Sequence, residues 1–285
     1  MPRLYLLCTL LLALAPLAVQ AQEKRSASAS SYLKRANARY AKGDIQGAIA
    51  DFDIAITFDP LFATAYNNRA IAREKSGDFE GATADYDRVI EINPRLSEAY
   101  ANRARTRLIL RDYDGAIADC DSAIRLKPRS AQVYNTRGSA RFEKGDLAGA
   151  LADYTTAISS DPHLAESYSN RGAVRRALGD VDGAIEDYDR SILINPQSPN
   201  TYNNRGNAWR EKGQLERAIA DFDRAIALDR RLAIAYASRG LIRLLKGKTI
   251  EADKDFAVSV SLDPKLRRFI QERRAGVARQ LAHHQ

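Results

Sequence analysis

The chain has 285 residues, a formal net charge of +8 and a pI near 9.5, a balance that invites a nucleic-acid reading. The distribution of charge implies no continuous basic stripe: the first 21 residues hold Arg3 and no acid, and residues from Lys265 onward carry +5, which leaves only +2 for residues 22 to 264. Two cysteines and three histidines are too few for a disulfide framework or a histidine-rich metal site.

Met1 to Ala21 reads as a secretory signal peptide. Arg3 stands near the start, an apolar run extends from Leu4 to Val19, and the small residues Val19 and Ala21 occupy positions minus three and minus one of a cut before Gln22. As an uncleaved anchor the run is short of the roughly 20 residues that span a bilayer, and Pro16 interrupts it. Cys8 sits too early in the run to accept a lipid. The leader predicts export, to the periplasm in the first instance and with secretion as the other destination. With it removed only Cys120 remains, so an intramolecular disulfide is excluded. Residues 22–28, within the serine-rich stretch Glu23 to Ser31, read as a flexible linker.

A fixed period follows. Tyr32, Tyr66, Tyr100, Tyr134, Tyr168, Tyr202 and Tyr236 stand 34 residues apart, and Pro60, Pro94, Pro128, Pro162, Pro196 and Pro264 keep the same register, broken only at Arg230. Self-similarity at such a spacing predicts one small unit copied in tandem, here 29–62, 63–96, 97–130, 131–164, 165–198, 199–232 and 233–266. Within the sixth unit, Tyr202, Gly206 and Trp209 share one helical face and Ala218, Phe222, Ala225 and Ile226 another, so each unit is a helical hairpin. Gly43, Gly77, Gly145, Gly179, Gly213 and Gly247 end the first helix at a positive φ, and Arg111 takes that place in the third unit. Cys120 fills the slot of Phe52, Tyr86, Tyr154, Tyr188, Phe222 and Phe256, the position of a buried apolar residue and not of a nucleophile.

Arginine follows each tyrosine by three residues (Arg35, Arg69, Arg103, Arg137, Arg171, Arg205, Arg239), and aspartate follows it by nineteen (Asp51, Asp85, Asp119, Asp153, Asp187, Asp221, Asp255). Six units add another arginine four residues after the first. Like charges at that spacing repel unless acids oppose them, so the pattern predicts an Arg–Asp ladder between helices. A ladder open to polyanions is the other reading.

These anchors resemble the tetratricopeptide repeat family, whose 34-residue pattern sets aromatic, small, aromatic, alanine, aromatic, alanine and proline in this order. The main departure is arginine (Arg39, Arg73, Arg107, Arg141, Arg175, Arg243) where Trp209 supplies the family's second aromatic. The resemblance implies an all-α fold, a right-handed α-α superhelix of seven helix-turn-helix repeats making roughly one turn, its inner groove lined by the first helices. The tail 267–285 reads as a capping helix with Leu266, Phe269, Ile270, Val277 and Leu281 on one stripe and Arg267, Arg268, Arg274 and Arg279 elsewhere.

The resemblance also implies that ligands contact residues one, two and five places after the tyrosine and two before it. Those places hold Asn37, Asn67, Asn68, Asn102, Arg105, Asn135, Asn170, Asn200, Asn203, Asn204 and Asn207, with Glu98, Thr136 and Glu166. A row of amides can bind the backbone of an extended peptide, since each offers a donor and an acceptor. It also fits a solvated polar face. The basic pair that family members use to grip a chaperone's terminal carboxylate is missing, with Leu33, Glu98 and Asn102 in its places.

Catalysis finds no constellation: His163, His283 and His284 come without partners at metal-ligand spacing, and Gly247 to Thr249 lacks the glycine and strand of a phosphate loop. No cofactor is implied. The predicted function is a protein–protein interaction scaffold of the bacterial envelope type, holding an extended peptide or a partner helix. Its rival is an adaptor to an anionic lipid or cell-wall surface through the basic C-terminal helix.

Overall fold

Glycine and aspartate set the same local instruction in successive units. In the computed structural model, which describes residues 25–282, the first helix of the repeat 63–96 ends at Gly77 with φ 89°. There the Asp78 N–H donates to the Arg73 carbonyl at 2.9 Å and the Gly77 N–H to that of Glu74, which closes the helix in a left-handed turn. Asp78 then caps the next helix, its carboxylate accepting from the Gly81 N–H at 2.9 Å. Asp44, Asp112, Asp146 and Asp180 do the same at Gly47, Gly115, Gly149 and Gly183. Arg111 adopts φ 62° in the place the other units give to glycine.

The second helix ends as regularly. Asn93 turns to φ −136° immediately before Pro94, as proline demands of its predecessor. Asp229 adopts φ −139° although Arg230 follows it, so the turn does not depend on the ring.

The described residues form fifteen helices and no strand. They divide between Arg129 and Ser130 into two compact units. The first holds α1 (25–41), α2 (Ile45–Phe58), α3 (Ala63–Ser76), α4 (Phe79–Ile92), α5 (Ser97–Ile109) and α6 (Tyr113–Leu126). The second holds α7 (Ala131–Glu143), α8 (Leu147–Ser160), α9 (Ala165–Ala177), α10 (Val181–Ile194), α11 (Pro199–Glu211), α12 (Leu215–Leu228), α13 (Ala233–Leu245), α14 (Thr249–Leu262) and α15 (Leu266–Ala282). No described helix is long and apolar enough to cross a membrane. The signal-peptide reading of Met1 to Ala21 falls outside the described residues, as do His283, His284 and the side chains of Arg279 and Leu281.

The linker reading of Glu23 to Ser31 is corrected: residues 25–31 are helical and open α1. Ala29 and Ala36 are fully buried there, and burying a helical face outweighs the modest helix preference of the serines between them.

Packing inside six of the seven hairpins places a small residue of the first helix under a ring of the second. In the first unit Ala70 and Ala82 close on Tyr86. In the second unit the small residue is glycine: a Cβ added to Gly138, Gly172, Gly206 or Gly240 would lie 2.9, 2.8, 2.8 or 2.7 Å from the ring of Tyr154, Tyr188, Phe222 or Phe256. Each fully buried ring contributes about 2–3 kcal/mol of transfer free energy. Cys120 occupies the same slot in α6 and is fully buried. At the end of the second unit α15 packs on α13 and α14, where Ile270 and Val277 join Ala237, Leu241, Ala252 and Phe256 in one core cluster and Leu266 and Phe269 lie partly buried beside it. The last hairpin's apolar flank is thereby covered, as a repeat array requires at its ends.

Candidate functional site

The periodic arginines bind aspartates of the same chain, which removes them as a site. Asp85 is buried and receives Arg69 at both carboxylate oxygens, through Nε at 2.9 Å and through Nη2, while Arg73 Nη1 adds a third bond at 3.0 Å. The same fork joins Arg35 to Asp51, Arg103 to Asp119, Arg137 to Asp153, Arg171 to Asp187, Arg205 to Asp221 and Arg239 to Asp255. The remaining guanidinium nitrogen of Arg69 reaches Asp53 of the preceding hairpin at 2.6 Å, as Arg103 reaches Asp87, Arg205 reaches Asp189 and Arg239 reaches Asp223. Arg171 meets Thr155 instead. Every one of these arginines also lies over its own tyrosine ring, at 4.7 Å for Arg35 and Tyr32. Burial opposes the charge on Arg69, but the bonds to Asp85 and Asp53 outweigh it and raise the guanidinium above its ordinary pKa. A ladder so saturated is structural, and the polyanion reading of it fails.

The asparagines separate into open and packed residues. In the first unit Asn37 is exposed on α1, and its Oδ1 accepts from Asn68 Nδ2 of α3 at 3.0 Å; Asn67 Nδ2 in turn reaches Asn68 at 3.3 Å. Asn37, Asn68, Tyr40, Phe52 and Ile71 line a cavity of 180 Å³. A second cavity of 330 Å³ shares Tyr40 and Ile71 and adds Glu74, Lys75, Phe79, Arg105 and Ile109. Arg105 of α5 is exposed, and its guanidinium holds Glu74 at 2.7 Å, where Thr106 also donates to the carboxylate. Asn102 is half-buried, its backbone carbonyl accepting from Thr106.

In the second unit Asn135 is 2% exposed, and its Oδ1 accepts from Ser167 at 3.0 Å and Asn170 at 3.2 Å, a bond between successive hairpins. Asn203 is 7% exposed, and its side-chain oxygen is buried without a partner among the described residues. Asn207 donates to the Asn203 backbone carbonyl, while Asn204 is half-buried and Asn200 exposed. Asn135 and Asn203 therefore belong to the packing of first helices on one another; Asn170, Asn204 and Asn207 remain at the surface in part.

Sequence reasoning missed Tyr40 and Glu74. Both stand eight residues after the repeat tyrosine, a place where the units also carry Leu108, Phe142, Arg176, Arg210 and Leu244. Divergence at that place of the repeat was the signal available.

The basic tail is less open than its sequence suggests. Arg274 packs over the Phe256 ring at 5.2 Å and pairs with Asp253 at 2.8 Å, and Arg268 pairs with Glu272. Gly247 to Thr249 forms the left-handed end of α13 and the start of α14. No group of histidine, cysteine and carboxylate able to hold a metal occurs among the described residues.

Two family profiles described as Tetratricopeptide repeat match residues 33–97 and 69–131 and residues 199–232, and one described as TPR repeat matches 138–179 and 172–209, together well over half of the chain. No curated protein matches. Among solved structures, a tetratricopeptide repeat protein from Parabacteroides merdae aligns with TM-score 0.71 at 18% identity over 88% of this chain and 99% of that one. MamA aligns with TM-score 0.50 at 27% identity over 57% of this chain and 96% of its own. YrrB, described as a TPR protein with an unusual peptide-binding site, aligns with TM-score 0.50 at 21% identity over 65% and 95%.

Proposed function

The chain belongs to the tetratricopeptide repeat family, and we propose that it is a non-catalytic scaffold of the bacterial envelope type that holds an extended peptide or a partner helix on its first helices. The observation that carries this reading is the pair of cavities in the first unit, where apolar side chains (Tyr40, Ile71, Phe79, Ile109) alternate with the Asn37 and Asn68 amides and the Arg105–Glu74 pair. Apolar hollows accept side chains, and the amides offer a donor and an acceptor to a passing backbone. YrrB, with its peptide-binding site, lends the reading support from a structural relative. Export to the periplasm rests on the leader of residues 1 to 21.

The test is a peptide array probed with the full chain. Bound peptides should lose at least about tenfold in affinity with Asn37→Ala plus Arg105→Ala, a loss of about 1.4 kcal/mol. Both residues are exposed and Glu74 keeps its bond from Thr106, so the fold should survive. Binding indifferent to both substitutions overturns the groove. Fractionation of the expressing cell tests the compartment, and retention in the cytosol refutes export.

The anionic-surface reading rests on α15, where Arg267 and Arg273 have no carboxylate partner among the described residues. Arg267→Glu with Arg268→Glu should abolish sedimentation with anionic vesicles if that surface is the working one.

A further inference from the structure

Another cleft lies in the second unit, lined by residues of α11, α13 and α15. It measures 760 Å³ and has an apolar wall of Leu241, Leu245, Phe269 and Val277. Four charged residues edge it: Arg210, Glu211, Glu272 and Arg273. Both acids are already engaged by arginines outside the cleft lining, Glu211 by Arg176 at 3.5 Å and Glu272 by Arg268 at 2.8 Å. Arg210 and Arg273 have no carboxylate partner among the described residues. The Arg273 guanidinium rests on the Phe269 ring at 5.5 Å, which restrains its position beside the apolar wall.

Arg210 departs from every ladder arginine. It is partly buried, so water compensates its charge poorly, and its nearest ionic surroundings include two further guanidiniums, Arg176 and Arg273, against Glu211. Burial first, and then the fields of Arg273 and Arg176, press its pKa below the ordinary value. An unpaired guanidinium in a hollow is costly for the protein to keep and is relieved by any carboxylate that enters. Two guanidiniums facing one space suit a carboxylate better than a lysine would, because each offers a planar pair of donors.

We propose that this cleft binds a peptide partner through an aspartate or glutamate side chain held between Arg210 and Arg273, with a large apolar neighbour of that acid seated on Leu241, Leu245, Phe269 and Val277. The site is separate from the cavities of the first unit, uses the place eight residues after the repeat tyrosine, and takes one cation from the capping helix. The positions named by the family resemblance contribute none of its charges. Its partner is an acidic and apolar segment, not a nucleic acid, since the wall between the cations is aliphatic and aromatic in place of a phosphate-spaced row.

Gly276 supplies a test that leaves the charges in place. It lines the cleft on α15, and a Cβ added there meets nothing within 4 Å. Gly276→Leu should fill the hollow while keeping or improving helix stability, since leucine is the better helix former. The experiment is fluorescence anisotropy on the full chain with a labelled nonapeptide of sequence Gly-Ser-Ala-Glu-Leu-Phe-Ala-Ser-Gly, amidated at its end, against the same peptide with glutamine for glutamate. The glutamate peptide should bind at least about fivefold more tightly than the glutamine one, and Gly276→Leu, Arg210→Met and Arg273→Met should each remove that preference. Unchanged melting curves for Gly276→Leu identify the loss as blockage, not unfolding. Equal binding of the two peptides, or a preference that survives both Arg210→Met and Gly276→Leu, overturns the proposal. So does competition by inorganic phosphate as strong as that of unlabelled peptide, which would make the cleft a general anion site. Asn37→Ala with Arg105→Ala should leave this binding untouched, so failure of the first-unit groove and failure of this cleft are read separately.

Discussion

Replacing Asp153 with asparagine tests whether the charge ladder holds the hairpins together. Asp153 is 3% exposed and accepts three bonds, from Arg137 Nε at 3.0 Å, Arg137 Nη2 at 2.7 Å and Arg141 Nη1 at 2.8 Å. Asparagine keeps the shape but loses the charge and turns one acceptor into an NH₂ that faces a guanidinium. Two arginines one helical turn apart then lose the acid between them. Removing one partner of a buried pair costs about 3–5 kcal/mol. The Arg137 and Arg141 side chains keep 16% and 26% of their exposure, so water takes up part of the loss. We expect about 2–3 kcal/mol, two to three times the roughly 1 kcal/mol that an exposed pair gives at most. For a chain of this size that lowers the melting midpoint by about 4–12 °C. Repeat arrays open locally, so hydrogen exchange across α7 and α8 should rise before exchange elsewhere does. Asp161→Asn is the matched control: it removes one charge but keeps the side-chain oxygen that accepts from the His163 N–H. Equal melting and exchange for Asp153→Asn and Asp161→Asn would refute the ladder as a source of stability.

Gly206→Ala places a Cβ 2.8 Å from Phe222, and the overpacked hairpin should lose about 1–3 kcal/mol in urea unfolding. Burial pushes the Tyr188 hydroxyl up to about 12, while in the unfolded chain it titrates near 10. Its contribution is therefore complete below pH 10 and is lost as pH rises toward 12, a fall of about 2–3 kcal/mol that Tyr188→Phe should abolish in melts across that range. At neutral pH the same substitution should be neutral or stabilising, because the hydroxyl is buried without a hydrogen bond. Arg230→Pro should stabilise by about 0.4–1 kcal/mol in urea unfolding, since Asp229 already holds the extended geometry that proline asks of its predecessor.

Much of the fold was legible because its instructions are local. The left-handed ends at Gly43, Gly77, Gly145, Gly179, Gly213 and Gly247 need only a residue without a Cβ, and Arg111 holds the same turn at φ 62°. The ladder was legible because its partners recur at one separation in every unit. The five capping aspartates were missed although glycine precedes four of them and another glycine follows each by three residues. The candidate site was less legible. Asn37 and Asn135 belong to the same amide row, yet one is exposed and the other is locked between Ser167 and Asn170. They stand five and one places after their repeat tyrosines, and the neighbouring helix decides which of those places is covered.

The sequence by itself determined the hairpin, its period, the residues that end each helix and the pairing of arginine with aspartate, because these depend on backbone conformation and on separations within or just beyond one unit. Only the tertiary structure decided which inner-face amides stay open, that residues 25–31 extend the first helix, that Arg274 turns back onto Phe256, and that Arg210 and Arg273 share a cleft. The reason is physical: burial and compensation of charge are set by whichever helix packs alongside, and where an array ends its last helix supplies neighbours that no repeat encodes.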